Sequence, residues 1–367
     1  MLDDFFVINP VAHAYNMAPD NLQPNRWAKT LYDFLLALHV GWNPAGVQTL
    51  SAEEQAHDWP IEVLAKSLFL ESDVDLAASH TLRLDSYFKD GQVRHGKTLE
   101  AVTKYPDRML AYVGLDPTKG LKTCLRELDE QLADLPNAVG LKLYPAQIDP
   151  LRSWRMDDTS LAFPLFERAQ EAGIKTIAVH KAVPLGAVPM NPFRIDDVTG
   201  AADAFPDLVF EIIHAGMAFT TETAWAIGCY SNIYANLEAT TGLLNRAPRL
   251  FEQTLAELMM YGGAEKIIYS DGSLVLHSQP ILERFRDLEF SDETIETFGV
   301  PLTKEDKAMI LGGNYARIIG LDIEEAKSRI ADDEFARTRA QTGRQEAYSN
   351  WRAYLANAES LQEASLA

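Results

Sequence analysis

Cysteine is nearly absent from this chain: Cys124 and Cys229 are the two in 367 residues. Two thiols so far apart make neither a disulfide framework nor a thiolate zinc site, and they fit a reducing compartment. Basic residues are also scarce. Lys and Arg number 33 against 53 Asp and Glu, a formal net charge of −20. That balance argues against nucleic acid or an anionic membrane as the main partner, since both need a basic footprint. A local basic pocket for an anionic substrate stays open. No apolar run is long enough to span a bilayer. Met1-Leu2-Asp3-Asp4 lacks the basic segment of a secretory leader. The expectation is a cytoplasmic protein that handles a small molecule. No glycine-rich phosphate loop follows the first apolar run, which weakens a dinucleotide-binding reading.

What is present is a globular balance, 47% apolar and 23% charged. Short β-branched runs alternate with segments of helical periodicity, as in a parallel sheet with crossover helices. Eight runs stand out: Phe5 to Ile8, Val74 to Ser79, Met109 to Leu115, Val139 to Tyr144, Thr176 to His180, Leu208 to His214, Ile233 to Leu237 and Lys266 to Asp271. Helices are predicted over Leu121 to Leu135, Leu161 to Ala172 and Ala247 to Tyr261. Gly173, Gly262 and Gly263 fall where helix ends belong. Eight even units predict an α/β fold, a (β/α)₈ TIM barrel over residues 1–321; an open doubly wound sheet is the alternative. Residues 17–60 read as an insertion after strand one, either a lid over the barrel mouth or a surface insertion. Residues 322–367 read as a helical C-terminal tail. Phe335, Tyr348, Trp351, Tyr354 and Leu355 would anchor it to the barrel or to a second copy in a homodimer.

His13 follows strand one, while His180, His214 and Asp271 end strands five, six and eight. In a barrel the C-terminal strand ends share one mouth, so these residues are expected to converge. Imidazole and carboxylate suit a divalent ion, zinc ahead of manganese, with His13, His180 and Asp271 as ligands. His214 would then move protons. Each residue taken alone also reads as a hydrogen-bonded structural residue, and Asp271 before Gly272 as a turn.

The chain resembles the amidohydrolase superfamily, in its amidohydrolase-related branch with aminocarboxymuconate-semialdehyde decarboxylase. The resemblance covers roughly residues 5–321 and rests on the order of several segments. These are Gly140-Leu141-Lys142-Leu143-Tyr144-Pro145, Val179-His180, Phe205-Pro206-Asp207-Leu208, Ile213-His214-Ala215-Gly216, Tyr269-Ser270-Asp271 and Ile310-Leu311-Gly312-Gly313-Asn314-Tyr315-Ala316-Arg317. The resemblance implies His180 as a strand-five metal ligand and His214 as the proton-transfer histidine. It implies Asp271 as the strand-eight ligand or catalytic base, and His13 as the second member of a strand-one His-x-His pair. Val11 stands in that pair's first position and cannot ligate; Asn9 and Glu238 are the substitutes in range. Lys142 reads as a binder of a substrate carboxylate or as a structural ion pair. Lys181, Arg152, Arg155 and Arg194 lie in strand-end loops and could also meet an anion, whereas Arg317 anchors the closing helix.

Three functions remain open. Hydrolysis of a small amide, lactone or related bond by metal-activated water comes first. Non-oxidative decarboxylation of an aromatic or enoic acid uses the same ligands. A non-catalytic binding protein on a degenerate barrel is the third, prompted by Val11.

Overall fold

The computed structural model describes residues 5–366. Its centre is a ring of parallel strands: β1 (Ile8–Ala12), β2 (Leu76–His80), β3 (Met109–Leu115), β4 (Gly140–Leu143), β5 (Thr176–His180), β6 (Val209–Ile213), β7 (Ile233–Asn236) and β8 (Ile267–Ile268). Each pairs with the next in chain order. The ring closes where Ala12 bridges Ser273 and His13 N donates to Ser273 O at 2.6 Å. This is the expected TIM barrel. Helices over Leu121–Asp134, Ala162–Glu171 and Pro248–Gly262 fall within a residue of prediction.

Strand one is a correction. It pairs over Ile8–Ala12, not Phe5 to Ile8. Pro10 lies within it, and its missing N–H is accommodated by a bulge. Asn9 sits opposite Ala77 and Ala12 opposite Ser79, so three steps on β1 span two on β2. The bulge leaves Val11 inside the barrel with Ile8, Tyr112, Ala178 and Ile213. β8 is shorter than predicted because Tyr269 N leaves the ladder and donates to Ile310 O at 2.9 Å. The closing helix is held as expected: Arg317 donates to Tyr234 Oη at 3.0 Å and Glu265 O at 2.9 Å.

The larger apolar cluster lies between the strands and the outer helices. The barrel interior is mixed. Buried Glu211 accepts from Tyr112 Oη at 2.6 Å, Thr176 Oγ1 at 2.5 Å and Asn236 Nδ2 at 2.7 Å. Three donors from three strands satisfy a carboxylate that water cannot reach. Gly140 makes room for this network, since a Cβ there would sit 2.1 Å from the Tyr112 ring.

The insertion after β1 carries helix α1 (Arg26–Trp42), capped by Asn25 Oδ1 accepting from Ala28 N at 2.8 Å. Leu31, Phe34, Leu35 and Leu38 of α1 lean over the barrel mouth. The C-terminal helices bury Phe335, Tyr348 and Trp351 within their own chain, while Tyr354 is exposed. Trp351 stacks on Trp59 of the insertion, centroids 4.3 Å apart and 16° from parallel, and donates from Nε1 to Glu54 O at 2.7 Å. Arg352 reaches Glu54, Val47 O and Thr49 O. Buried Glu71 accepts from Tyr348 N at 2.8 Å and Asn350 N at 2.9 Å. The tail thus braces the segment that covers the mouth.

Candidate active site

The strand ends bring His13, His180, His214 and Asp271 to one mouth, and all four are buried. They are joined there by His80, Glu238, Tyr15 and Tyr144. Sequence reading had passed over His80, because strand two was ended one residue early at Ser79. Yet it ends β2 as His180 ends β5, and that parallel was the available signal. His80 stacks on Tyr112 at 3.9 Å and its Nε2 lies 2.6 Å from Pro10 O. From sequence Glu238 reads only as a substitute ligand.

His214 is the pivot of the site. It follows β6 with φ of 66°, a left-handed conformation that costs a non-glycine residue about 1–3 kcal/mol. Ala182 and Ala239, beyond β5 and β7, also have positive φ. Such turns aim side chains and backbone carbonyls into the mouth. His214 Nε2 lies 2.8 Å from His180 Nδ1 and 3.2 Å from Glu238 Oε2. Its Nδ1 lies 3.1 Å from Glu238 O, and His180 Nε2 lies 2.7 Å from Val183 O.

The protons can be counted. Two imidazoles between two carbonyl oxygens need three N–H groups to make every contact a hydrogen bond, and a neutral pair carries two. Burial opposes the third, and the Lys142 ammonium adds to it. Burial, the neighbouring His214 and Lys142 hold His180 well below the usual histidine range. Burial and then Lys142 push His214 down to about 3. Burial drives Glu238 the other way, up to about 7, against the pull of Lys142. Glu238 therefore takes up a proton far more readily than His214, one hydrogen bond away. This is a base and its proton store in contact.

The expected metal ligands do not gather round an ion. Asp271 Oδ1 accepts from Asn9 Nδ2 at 2.7 Å, Ser273 N at 2.9 Å and Ser273 Oγ at 2.7 Å, and Oδ2 accepts from Tyr269 Oη at 2.7 Å. Three donors crowd Oδ1, while Oδ2 accepts one and keeps a lone pair. His180 is taken up by Val183 O and His214, and Val11 is aliphatic. His13 Nδ1 is buried without a partner, but one nitrogen is not a cage. Among the described residues no group of three or more His, Cys, Asp or Glu is arranged to hold a metal ion. The residues present do not fit the ion that the sequence led us to expect.

The cations separate clearly. Lys181 is buried and paired with Asp197 at 2.9 Å. Arg155 pairs with Asp157 and Asp196, and Arg194 with Glu222, all on the surface. Arg152 is exposed in a two-residue strand, Arg152–Ser153. Lys142 alone of these side chains points inward from β4, and it is 1% exposed.

Above these groups lies a cavity of about 80 Å³, lined by Tyr15, His180, His214, Glu238 and Asp271 below and by α1 above. It is smaller than the roughly 300–1,000 Å³ of a drug-sized site, so it suits a compact substrate or a mouth closed by α1. A larger groove of about 320 Å³, lined by Arg194, Phe219 and Trp225, lies on the outer helices and contains none of these groups.

Residues 45–321, well over half of the chain, match the model of the amidohydrolase family. No curated protein matches the chain in sequence. Three solved structures are similar in fold. One is an uncharacterised TIM-barrel protein from Bordetella bronchiseptica, with 15% identity and a TM-score of 0.62, covering 86% of this chain and 98% of that one. Another is a 5-carboxyvanillate decarboxylase from Novosphingobium aromaticivorans with bound manganese, with 12% identity and a TM-score of 0.53, covering 86% and 97%. The third is a probable 2-pyrone-4,6-dicarboxylic acid hydrolase from Acinetobacter baumannii with citric acid bound, with 11% identity and a TM-score of 0.51, covering 86% and 99%. At these identities the likeness is one of fold.

Proposed function

The chain belongs to the amidohydrolase family, and from that premise we propose that it hydrolyses a small carboxylated amide, lactone or related substrate. His214 takes the proton from the attacking water, and ionised Glu238 receives it. Lys142 supplies the positive charge for the substrate's carboxylate or for the oxyanion that develops. The observation that carries this reading is His214 within 3.2 Å of Glu238 and 2.8 Å of His180, at the floor of a covered cavity. Zinc or manganese at His13, His180 and Asp271 would require His180 to leave His214 or Val183 O, and the proton path from His214 to Glu238 uses neither ion.

Non-oxidative decarboxylation of a small aromatic or enoic acid is the second reading. The apolar roof of Leu31, Phe34, Leu35 and Leu38 favours it, because it admits little water. The discriminating experiment offers cyclic amides, lactones and hydroxybenzoates in ¹⁸O-water. Hydrolysis puts solvent oxygen into a new carboxylate. Carbon dioxide released with no label in the organic product would overturn the first reading in favour of the second.

Glu238 and Lys142 also set a pH dependence. Glu238 works as a base only when ionised, and burial raises it to about 7, so kcat/KM is expected to rise through that pH. Lys142 must be protonated, and burial lowers it to about 8, so activity falls above that pH. The result is a narrow bell. Glu238→Gln should remove the rising limb, and a profile flat between about pH 6 and 9 would contradict the assignment.

A further inference from the structure

Lys142 sits opposite Gly114 on β3 and Ala178 on β5, and its side chain is buried. Among the described residues its ammonium makes no hydrogen bond and no ion pair; the Tyr144 ring is 5.4 Å away. The charged and titratable groups around it come from every side of the barrel. They are Glu211 and His214 from β6 and its end, Glu238 beyond β7, His13 beyond β1, His80 on β2 and His180 on β5. An ammonium has three donors. A buried one without an acceptor is costly unless something anionic arrives.

We infer that the Lys142 ammonium is the resident cation of this centre, standing in place of a divalent ion and holding the anionic oxygen of a small carboxylate. Three independent features point the same way. Val11, 0% exposed among apolar neighbours, removes one ligand. Asp271 is already held by four donors, three of them on Oδ1, which leaves one lone pair on Oδ2. Lys142 puts a positive charge amid the remaining imidazoles, where a divalent ion would be repelled. Beside it, His13 Nδ1 and His80 Nδ1 are both buried without a partner, so the centre still has polar capacity to spend on a ligand. The inference takes only the substrate class from the proposed function; the identity of the cation is independent of turnover.

The test starts with wild-type protein purified without chelator or histidine tag, dialysed against excess zinc and then excess manganese, and analysed for metal. Well under one equivalent per chain is expected. Acetate is then titrated against sodium chloride at matched ionic strength and read by calorimetry and melting temperature. Acetate should bind wild type and Lys142→Arg, and bind Lys142→Met at least about tenfold more weakly. One ion per wild-type chain surviving dialysis would overturn the inference, and so would acetate binding unchanged in Lys142→Met. Should that variant fail to fold, the wild-type metal content still decides. A metal-free protein that binds acetate but turns over no panel substrate would keep this inference and remove the hydrolase reading.

Discussion

His214→Ala is expected to lower kcat by about 10²–10⁴-fold, the usual worth of a positioned acid–base group. KM should change far less, because proton transfer is made in the transition state and not in the bound ground state. The strained backbone at His214 sharpens the expectation. Alanine has no more tolerance for φ of 66° than histidine, so the turn gains nothing by the change. The side chain's loss leaves His180 Nδ1 and Glu238 Oε2 facing a space that water can fill, so folding should be nearly retained. Steady-state kinetics on the first substrate found, with a thermal melt as the folding control, decides the matter. A kcat within about threefold of wild type would remove His214 from the proton path.

Trp351→Ala is expected to cost about 3–5 kcal/mol of stability, as for other large aromatic truncations in a core. Trp351 is 1% exposed, stacked on Trp59 and hydrogen-bonded to Glu54 O. The loss reaches the mouth as well as the tail, because Glu54 and Trp59 belong to the covering insertion. Proteolysis between residues 43 and 58 should therefore speed up along with the fall in urea midpoint. Trp351→Phe keeps a stacked ring and loses one hydrogen bond, for about 1 kcal/mol. If both variants melt together with wild type, the tail is not a brace.

Much of the barrel is legible in the sequence because its strands are buried on both faces. β3 reads as an uninterrupted apolar run and β5 as an apolar run between Thr176 and His180, and the ends of both match the sequence reading. β1 was misplaced because a proline lies within it, and only the opposing strand reveals the bulge that accepts it. His13, His180, His214 and Asp271 converge as their strand-end positions require. Their partners were not readable. Asp271 accepts from Asn9, 262 residues away, and from its near neighbours Tyr269 and Ser273, and a sequence pattern cannot show which donors hold a carboxylate. His80 was lost to one residue of strand length. The Glu71 clamp on Tyr348 spans 277 residues and leaves no local pattern.

The brace between residues 47–59 and 348–352 has a consequence for biosynthesis. The covering segment is made well before the side chain that holds it. At the usual rate of roughly 5–20 residues per second, Trp59 waits about 15–60 s for Trp351 to be translated. Throughout that interval an indole face sits bare on a nascent polypeptide, next to a half-built ring with open strand edges. The ribosome-bound intermediate is thus the sticky form of this molecule, and a holding chaperone has its best target there, before Trp351 emerges.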